Sequence, residues 1–249
     1  MAERSRFYLG LAVAFTIVTF WGFSETYFAP LFGKPSAFGG NISDLPVIVH
    51  LHGWTFFLWY LLLPGQASLI AASNVRLHRC VGTLSVALVV VMTITGFIII
   101  PVNVYNSSQP GAVPIWRFFG PAILATLCLF IAFYALALRN RRKPDHHKRY
   151  ILIASAVGLA AATFRILNTM IGPALANFPA GILVTNLFIV VGMLRDRLVD
   201  GRVHRVYWIG VTTCIAVEVL FLIFPHTPLG GLVLDTVAGI GAKLLFFYD

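Results

Sequence analysis

Seven stretches of this sequence are apolar over roughly the length of a membrane-spanning helix, and their succession constrains the fold more than any other feature. A helix rises about 1.5 Å per residue, so about 20 apolar residues cross the hydrocarbon layer of a bilayer. The pattern predicts an all-α protein, a polytopic membrane bundle. The predicted spans are residues 7–23, 45–71, 81–100, 115–138, 150–171, 180–194 and 206–224.

An eighth stretch, residues 229–247, gives a weaker signal because it contains Asp235, Lys243 and several glycines. Such a segment is either a weak eighth span or a helix that lies along the membrane interface. The predicted bundle therefore has seven or eight transmembrane helices. No long linker separates the stretches, which predicts a single transmembrane helical domain over residues 1–249.

Composition supports the same class of protein. With 59% hydrophobic and 11% charged residues, the chain has too little polar surface for a soluble globule. The 18 basic residues outnumber the 9 acidic ones, an imbalance that connections between membrane spans explain without a nucleic-acid partner. Three cysteines without metal-ligand spacing indicate neither a disulfide framework nor a zinc site.

The distribution of basic residues predicts the orientation. Fourteen of the 18 lie in the amino-terminal tail or in alternate connections, at residues 76–79, 139–149 and 195–205. Cytoplasmic loops carry an excess of Lys and Arg, so the amino terminus is expected in the cytoplasm. The first stretch is predicted to be an uncleaved helix, since no small-residue cleavage site follows it.

Three of the predicted spans open, on the cytoplasmic side, with a histidine followed by a cation: His78-Arg79, His147-Lys148 and His204-Arg205. Two imidazoles at equal depth on neighbouring helices can clamp a haem iron. This favours His78 and His147 as ligands of haem b, with no metal site beyond that iron. The alternative is that these histidines contact lipid phosphate, which suits His204 and His146 better.

Between residues 49 and 165 the chain carries a recognisable succession of short motifs: His50 or His52, Gly65-Gln66, Arg76-Leu77-His78-Arg79 with Gly82, His147-Lys148-Arg149-Tyr150, and Ala161 through Ile166. In these residues the stretch resembles an uncharacterised bacterial multi-pass membrane family, domain of unknown function twenty-three-oh-six. The resemblance implies a location in the bacterial inner (plasma) membrane, and that family has no established activity.

The opening of the third stretch is also distantly similar to two-haem membrane cytochromes and haem A synthases, in which such a histidine ligates iron. That similarity implies iron ligation at His78. The chain lacks a mid-helix histidine on each of two facing helices, which does not fit a double-haem core.

A second group of polar residues is predicted in the outer third of the bilayer from the helical rise alone. Charged groups at that depth are costly, so each should face the bundle and find a partner; Arg165 and Glu218 are the predicted pair. Neighbours two apart on a helix point about 200° from each other, so His50 or His52 should face the bundle, but not both. Asn186 predicts an interhelical hydrogen bond. The predicted polar layer comprises His50, His52, Arg165, Asn168 and Glu218.

These features favour a membrane redox protein that transfers electrons through haem b, with an outer polar layer that contacts a quinone or passes protons. The alternative is a non-enzymatic accessory or assembly subunit of a membrane complex, whose partners are lipid and other subunits. A transporter is the second alternative. The sequence assigns no enzymatic reaction and no catalytic residue.

Overall fold

Helices form every regular element in the computed structural model, which describes residues 2–36, 41–112 and 114–248. This confirms the predicted all-α fold class. The helices are α1 (Ala2–Phe23), continued by a π-helical turn (Ser24–Phe28) and by α2 (Ala29–Leu31), then α3 (Val47–Ala71), α4 (Val75–Asn106), α5 (Ile115–Arg139), α6 (Pro144–Val157), α7 (Ala160–Ile171), α8 (Asn177–Asp200), α9 (Arg205–Ile223) and α10 (Pro228–Lys243).

Six helical segments in the described part of the chain are long and apolar enough to cross a membrane. A seventh is added if α6 and α7, which meet at a bend of 45°, form one broken span. This set of helices is compatible with an integral membrane protein. The six segments are Arg6–Leu31, α3, α4, α5, α8 and Arg205–His226.

Most of the eighth apolar stretch, residues 229–247, forms helix α10. It has 16 residues, which gives a length of about 24 Å against the ~30 Å of a bilayer core. Its length favours six or seven spans over eight. The predicted count of seven or eight, the cytoplasmic amino terminus and the inner-membrane location stay predictions.

The break between α6 and α7 falls at Gly158 and Leu159. Beyond it, the Thr163 hydroxyl donates a hydrogen bond of 2.7 Å to the Gly181 carbonyl on α8. Interhelical bonds of this kind stabilise contacts between apolar helices. The bond from Thr163 also holds α7 in a direction that differs from the direction of a straight fifth span.

The chain divides into two compact units, residues 1–96 together with Tyr248 and residues 97–247. The single transmembrane domain stays a prediction. In the first unit, α1 packs along α3, and the Thr16 hydroxyl donates to the Tyr60 carbonyl at 2.6 Å. Phe20 stacks on Phe57 with ring centroids 5.5 Å apart, and Phe57 is buried.

In the second unit, glycines allow α8 and α9 to approach their neighbours closely. A Cβ atom on Gly181 would lie 2.7 Å from the backbone of Phe164 on α7. A Cβ atom on Gly192 would meet the ring of Tyr207 on α9, and one on Gly210 would meet Ile153 on α6. Small residues at contacts let helix backbones approach within a membrane bundle. These contacts fix which faces of α8 and α9 meet.

Candidate functional site

Glu218 on α9 is a buried carboxyl group in the middle part of the apolar helices of the second unit, and it is 1% exposed. Asn186 on α8 is 6% exposed, and its Nδ2 donates a hydrogen bond of 2.6 Å to Glu218 Oε2. Glu218 Oε1 and Asn186 Oδ1 have no hydrogen-bond partner among the described residues. Two buried acceptor oxygens, one on each side chain, therefore lack a donor beside the hydrogen bond that joins Asn186 to Glu218.

Helical spacing explains how the pair forms. Tyr207, Gly210, Cys214 and Glu218 are buried at intervals of three or four residues, so Glu218 belongs to the packed face of α9. Asn186 lies 14 residues before the end of α8 at Asp200, and Glu218 lies 13 residues after the start of α9. At about 1.5 Å per residue, both are about 20 Å from the connection between the two helices.

This arrangement suits the uptake of a positive charge or a proton. A carboxylate has two acceptor oxygens and no donor, and here a neutral amide occupies only one of them. Leaving a buried polar atom unpaired costs about 1–3 kcal/mol, and more for a charged group. A proton or a cation at Oε1 would remove that cost.

The predicted pair of Arg165 with Glu218 is wrong, because Glu218 bonds to Asn186 and its other oxygen has no partner. Arg165 Nη1 instead donates 2.9 Å to the carbonyl of Ala161, one turn earlier on α7. Depth along the helix axis was the basis of the prediction, and depth does not specify which way a side chain points. The bend before α7 changes that direction further.

Asn168 makes its hydrogen bonds at the turn between α7 and α8, and its place in the predicted polar layer stays a prediction. Its Oδ1 accepts a hydrogen bond of 2.7 Å from Asn177 Nδ2, which also donates to the carbonyl of Gly172. Gly172 has a φ of 90°, a conformation that glycine adopts readily. Asn168 thus holds the turn between α7 and α8.

In the first unit, the two rings of the His-x-His pair contact different elements. His50 Nδ1 lies 2.8 Å from the hydroxyl of Tyr27, and His52 Nδ1 lies 2.8 Å from the hydroxyl of Thr95 on α4. The Thr95 hydroxyl itself donates to the carbonyl of Val91. His52 Nδ1 must then donate, which leaves its Nε2 as an acceptor.

The two proposed haem ligands differ in how well they fit iron. His147 Nδ1 donates 2.9 Å to the carbonyl of Ala137, the kind of contact that metal-ligating histidines make with their other ring nitrogen. In the amide orientation that satisfies its neighbours, Gln66 Nε2 donates 2.6 Å to His78 Nδ1 and Gln66 Oε1 accepts from Gly82 N. A neutral His78 then carries its proton on Nε2, which does not fit iron ligation there.

His146 and His204 lie together at the start of α6 and α9, with ring centroids 4.7 Å apart. His204 Nδ1 accepts a bond of 3.2 Å from the backbone N–H of Val206, so the ring caps α9. Burial, and then the positive charge of Arg149, lower the pKa of His204 below its ordinary value. Within the described residues, no group of three or more His, Cys, Asp or Glu residues could hold a metal ion.

Sequence reasoning missed a buried ion network beside these histidines. Arg149 donates from Nε and Nη2 to the two oxygens of Asp196, at 2.9 and 2.8 Å. Arg195 donates to Asp200 at 2.7 Å and to Asp196 at 3.2 Å. From the sequence alone, Arg149 and Arg195 are explained as basic residues that set the orientation of the chain in the membrane. The detectable signal was Asp196 and Asp200, one turn apart in a basic connection.

Comparisons with known protein families, with curated proteins and with solved structures found no match. The resemblance to the uncharacterised membrane family and the distant similarity to haem proteins stay predictions.

Proposed function

We propose that this chain is an integral membrane protein that takes up a small cation, a proton or a metal ion, at Glu218 within the bilayer. The observation that carries the proposal is the unpartnered Oε1 of a glutamate that is 1% exposed. Ionisable residues inside a membrane bundle are costly, and they mark ion pathways and proton relays. Among the residues that the structure describes, Glu218 is the best candidate for a residue of an ion pathway or proton relay.

Two further observations support the proposal. The pair lies about 20 Å along each helix from the connection of α8 and α9, well inside a hydrocarbon layer of ~30 Å. Its hydrogen-bonded neighbour, Asn186, is a neutral amide, which leaves the negative charge of an ionised carboxyl uncompensated. A bound cation would supply that compensation.

Proteoliposomes with a pH-sensitive dye inside test the proposal. Under an imposed membrane potential, the wild-type protein should carry protons across the bilayer, which this dye reports, or an added metal cation, which a cation-sensitive dye in parallel vesicles reports. Glu218→Gln should lose this flux, because the amide cannot exchange a charge. Glu25→Gln is the matched control, since Glu25 is an exposed glutamate in the π-helical turn.

An equal flux in Glu218→Gln and in the wild-type protein would contradict the proposal. A folded wild-type protein without any such flux would favour the accessory or assembly subunit instead.

Electron transfer through haem b is the second candidate function. The bond from His147 Nδ1 to the carbonyl of Ala137 favours it, and the bond from Gln66 to His78 opposes it. A reduced-minus-oxidised spectrum of the purified protein with added haem tests this candidate. A Soret and alpha band that His147→Ala removes would support it, and a spectrum without these bands would exclude it. A quinone is a proposed partner only if the protein transfers electrons through haem b.

A further inference from the structure

We infer that the cation taken up is a proton, held between Glu218 and Asn186 as a neutral acid–amide pair. This inference rests on the proposed function of Glu218. The carboxyl and amide groups already share one hydrogen bond, from Asn186 Nδ2 to Glu218 Oε2 at 2.6 Å. The two unpartnered oxygens, Oε1 and Oδ1, are the remaining atoms of the same two groups.

One proton satisfies both of these oxygens. Glu218 Oε1 becomes an O–H donor when it is protonated, and Asn186 Oδ1 is an acceptor. The donated bond from Oε1 to Oδ1 then closes a ring with the existing bond from Nδ2 to Oε2. The loaded pair is neutral, with each of its four facing polar atoms in a hydrogen bond. Release of the proton restores one carboxylate and two unpaired acceptors.

A metal ion fits the same place less well. Calcium takes six to eight oxygen ligands and magnesium demands an octahedral set, whereas the pair offers two unpartnered oxygens. The residues one turn before and one turn after Asn186 on α8 are Ile182 and Ile189, and both are apolar and buried. They supply no side-chain oxygen.

The charged side chains described on the neighbouring helices do not compensate the negative charge of the Glu218 carboxylate. On the helices that pack against α9, Arg149 bonds Asp196 and Arg117 bonds Asp235, near helix ends. The titratable groups along the apolar parts of these helices are thiols and phenols: Tyr207 and Cys214 on α9, Cys128 and Tyr134 on α5, and Tyr150 on α6. Arg165 on α7 donates to its own helix.

Infrared difference spectroscopy of the full chain in lipid vesicles tests the inference. Acidification of the wild-type protein should produce the carbonyl band of a protonated carboxyl group, which shifts in heavy water. Glu218→Gln should lose this band completely, and Glu25→Gln should keep it. Asn186→Leu should move the band to higher frequency, because the hydrogen bonds of the ring are gone. Saturating sodium or calcium at fixed pH should leave the band unchanged.

Glu218→Gln is itself a mimic of the loaded pair. Its amide can donate to Asn186 Oδ1 and accept from Asn186 Nδ2, so the variant should fold like the wild-type protein. If that variant does not fold, the frequency shift in Asn186→Leu still decides whether the ring exists. A band with the same frequency in Asn186→Leu would overturn the inference.

The outcomes separate the inference from the proposed function. If acidification gives no band while a metal ion binds and Glu218→Gln abolishes that binding, the acid–amide pair is wrong and cation uptake stands. If neither protons nor metal ions bind at Glu218, both are wrong.

Discussion

Asp196 and Glu218 are both buried acids of the second unit, and their surroundings differ completely. Asp196 is 0% exposed and accepts bonds from Arg149, Arg195 and the backbone N–H of His204. Glu218 accepts one bond, from a neutral amide. A fully bonded ion network is a structural element, whereas a buried carboxyl with an open oxygen is suited to gaining and losing a charge.

Arg149→Met tests the structural role of the ion network. Removal of Arg149 leaves the buried Asp196 carboxylate with Arg195 as its one remaining cationic partner among the described residues, so the free energy of unfolding should fall by about 3–5 kcal/mol. Thermal unfolding in detergent measures the loss. Lys148→Met is the control, because the pair of Lys148 with Asp145 is partly exposed and such pairs contribute about 0–1 kcal/mol. Equal stability of the two variants would contradict the role assigned to Arg149.

At the scale of helices, depth could be predicted from the sequence and direction could not. Counting residues placed Arg165 and Glu218 at similar heights, yet the break at Gly158 and Leu159 and the packing of α8 give Glu218 a different partner. The apolar stretches predicted the helices well because burial in lipid leaves few alternatives for a backbone. The bond made by Asn186 was predicted, but its partner was not, since the partner depends on how α8 and α9 pack.

Gly181→Ala tests the close contact between α7 and α8. A Cβ atom at this position would lie 2.7 Å from the backbone of Phe164, which cannot move as a side chain can. Overpacking of this kind costs about 1–3 kcal/mol, so the melting temperature should fall. Gly239→Ala on α10 is the control because a Cβ atom there meets nothing within 4 Å. No difference between the two variants would contradict the close contact.

The start of α9 should weaken in acid because His204 caps it as a neutral ring. Burial and nearby positive charge lower the pKa of His204 below its ordinary 6.5, so the unfolded chain binds a proton more readily than the folded chain. The free energy of unfolding should therefore fall as the pH drops below about 6.5. Hydrogen exchange at the Val206 amide measures the effect, and His204→Asn, which keeps a capping oxygen, should remove it. A protection factor of the Val206 amide that is independent of pH in the wild-type protein would contradict this role.

At the scale of the whole molecule, the sequence predicted the helical class and left the number of spans open. Composition and apolar length determine the class, whereas the bend of 45° between α6 and α7 decides whether two short helices count as one span. The haem prediction rested on histidines at equal depth. The hydrogen bond from Gln66 to His78 could not be foreseen from spacing, because it depends on how α3 meets α4.

Reporter fusions test the predicted orientation. A fusion after Arg142 should report a cytoplasmic position, since basic connections are retained on that side. A fusion after Gln109 should report the opposite side, because α5 separates the two positions. The reverse pattern would place the amino terminus outside.

Carbon-13 magnetic resonance of glutamate side chains tests the central claim most directly. The chain contains three glutamates, Glu3, Glu25 and Glu218, so selective labelling in lipid vesicles gives three assignable carboxyl signals. We predict that one signal titrates separately from the other two, disappears in Glu218→Gln and changes its titration in Asn186→Leu. A spectrum in which the Glu218 signal titrates with Glu25, unaffected by Asn186→Leu, would show that Glu218 meets bulk water and would contradict the account.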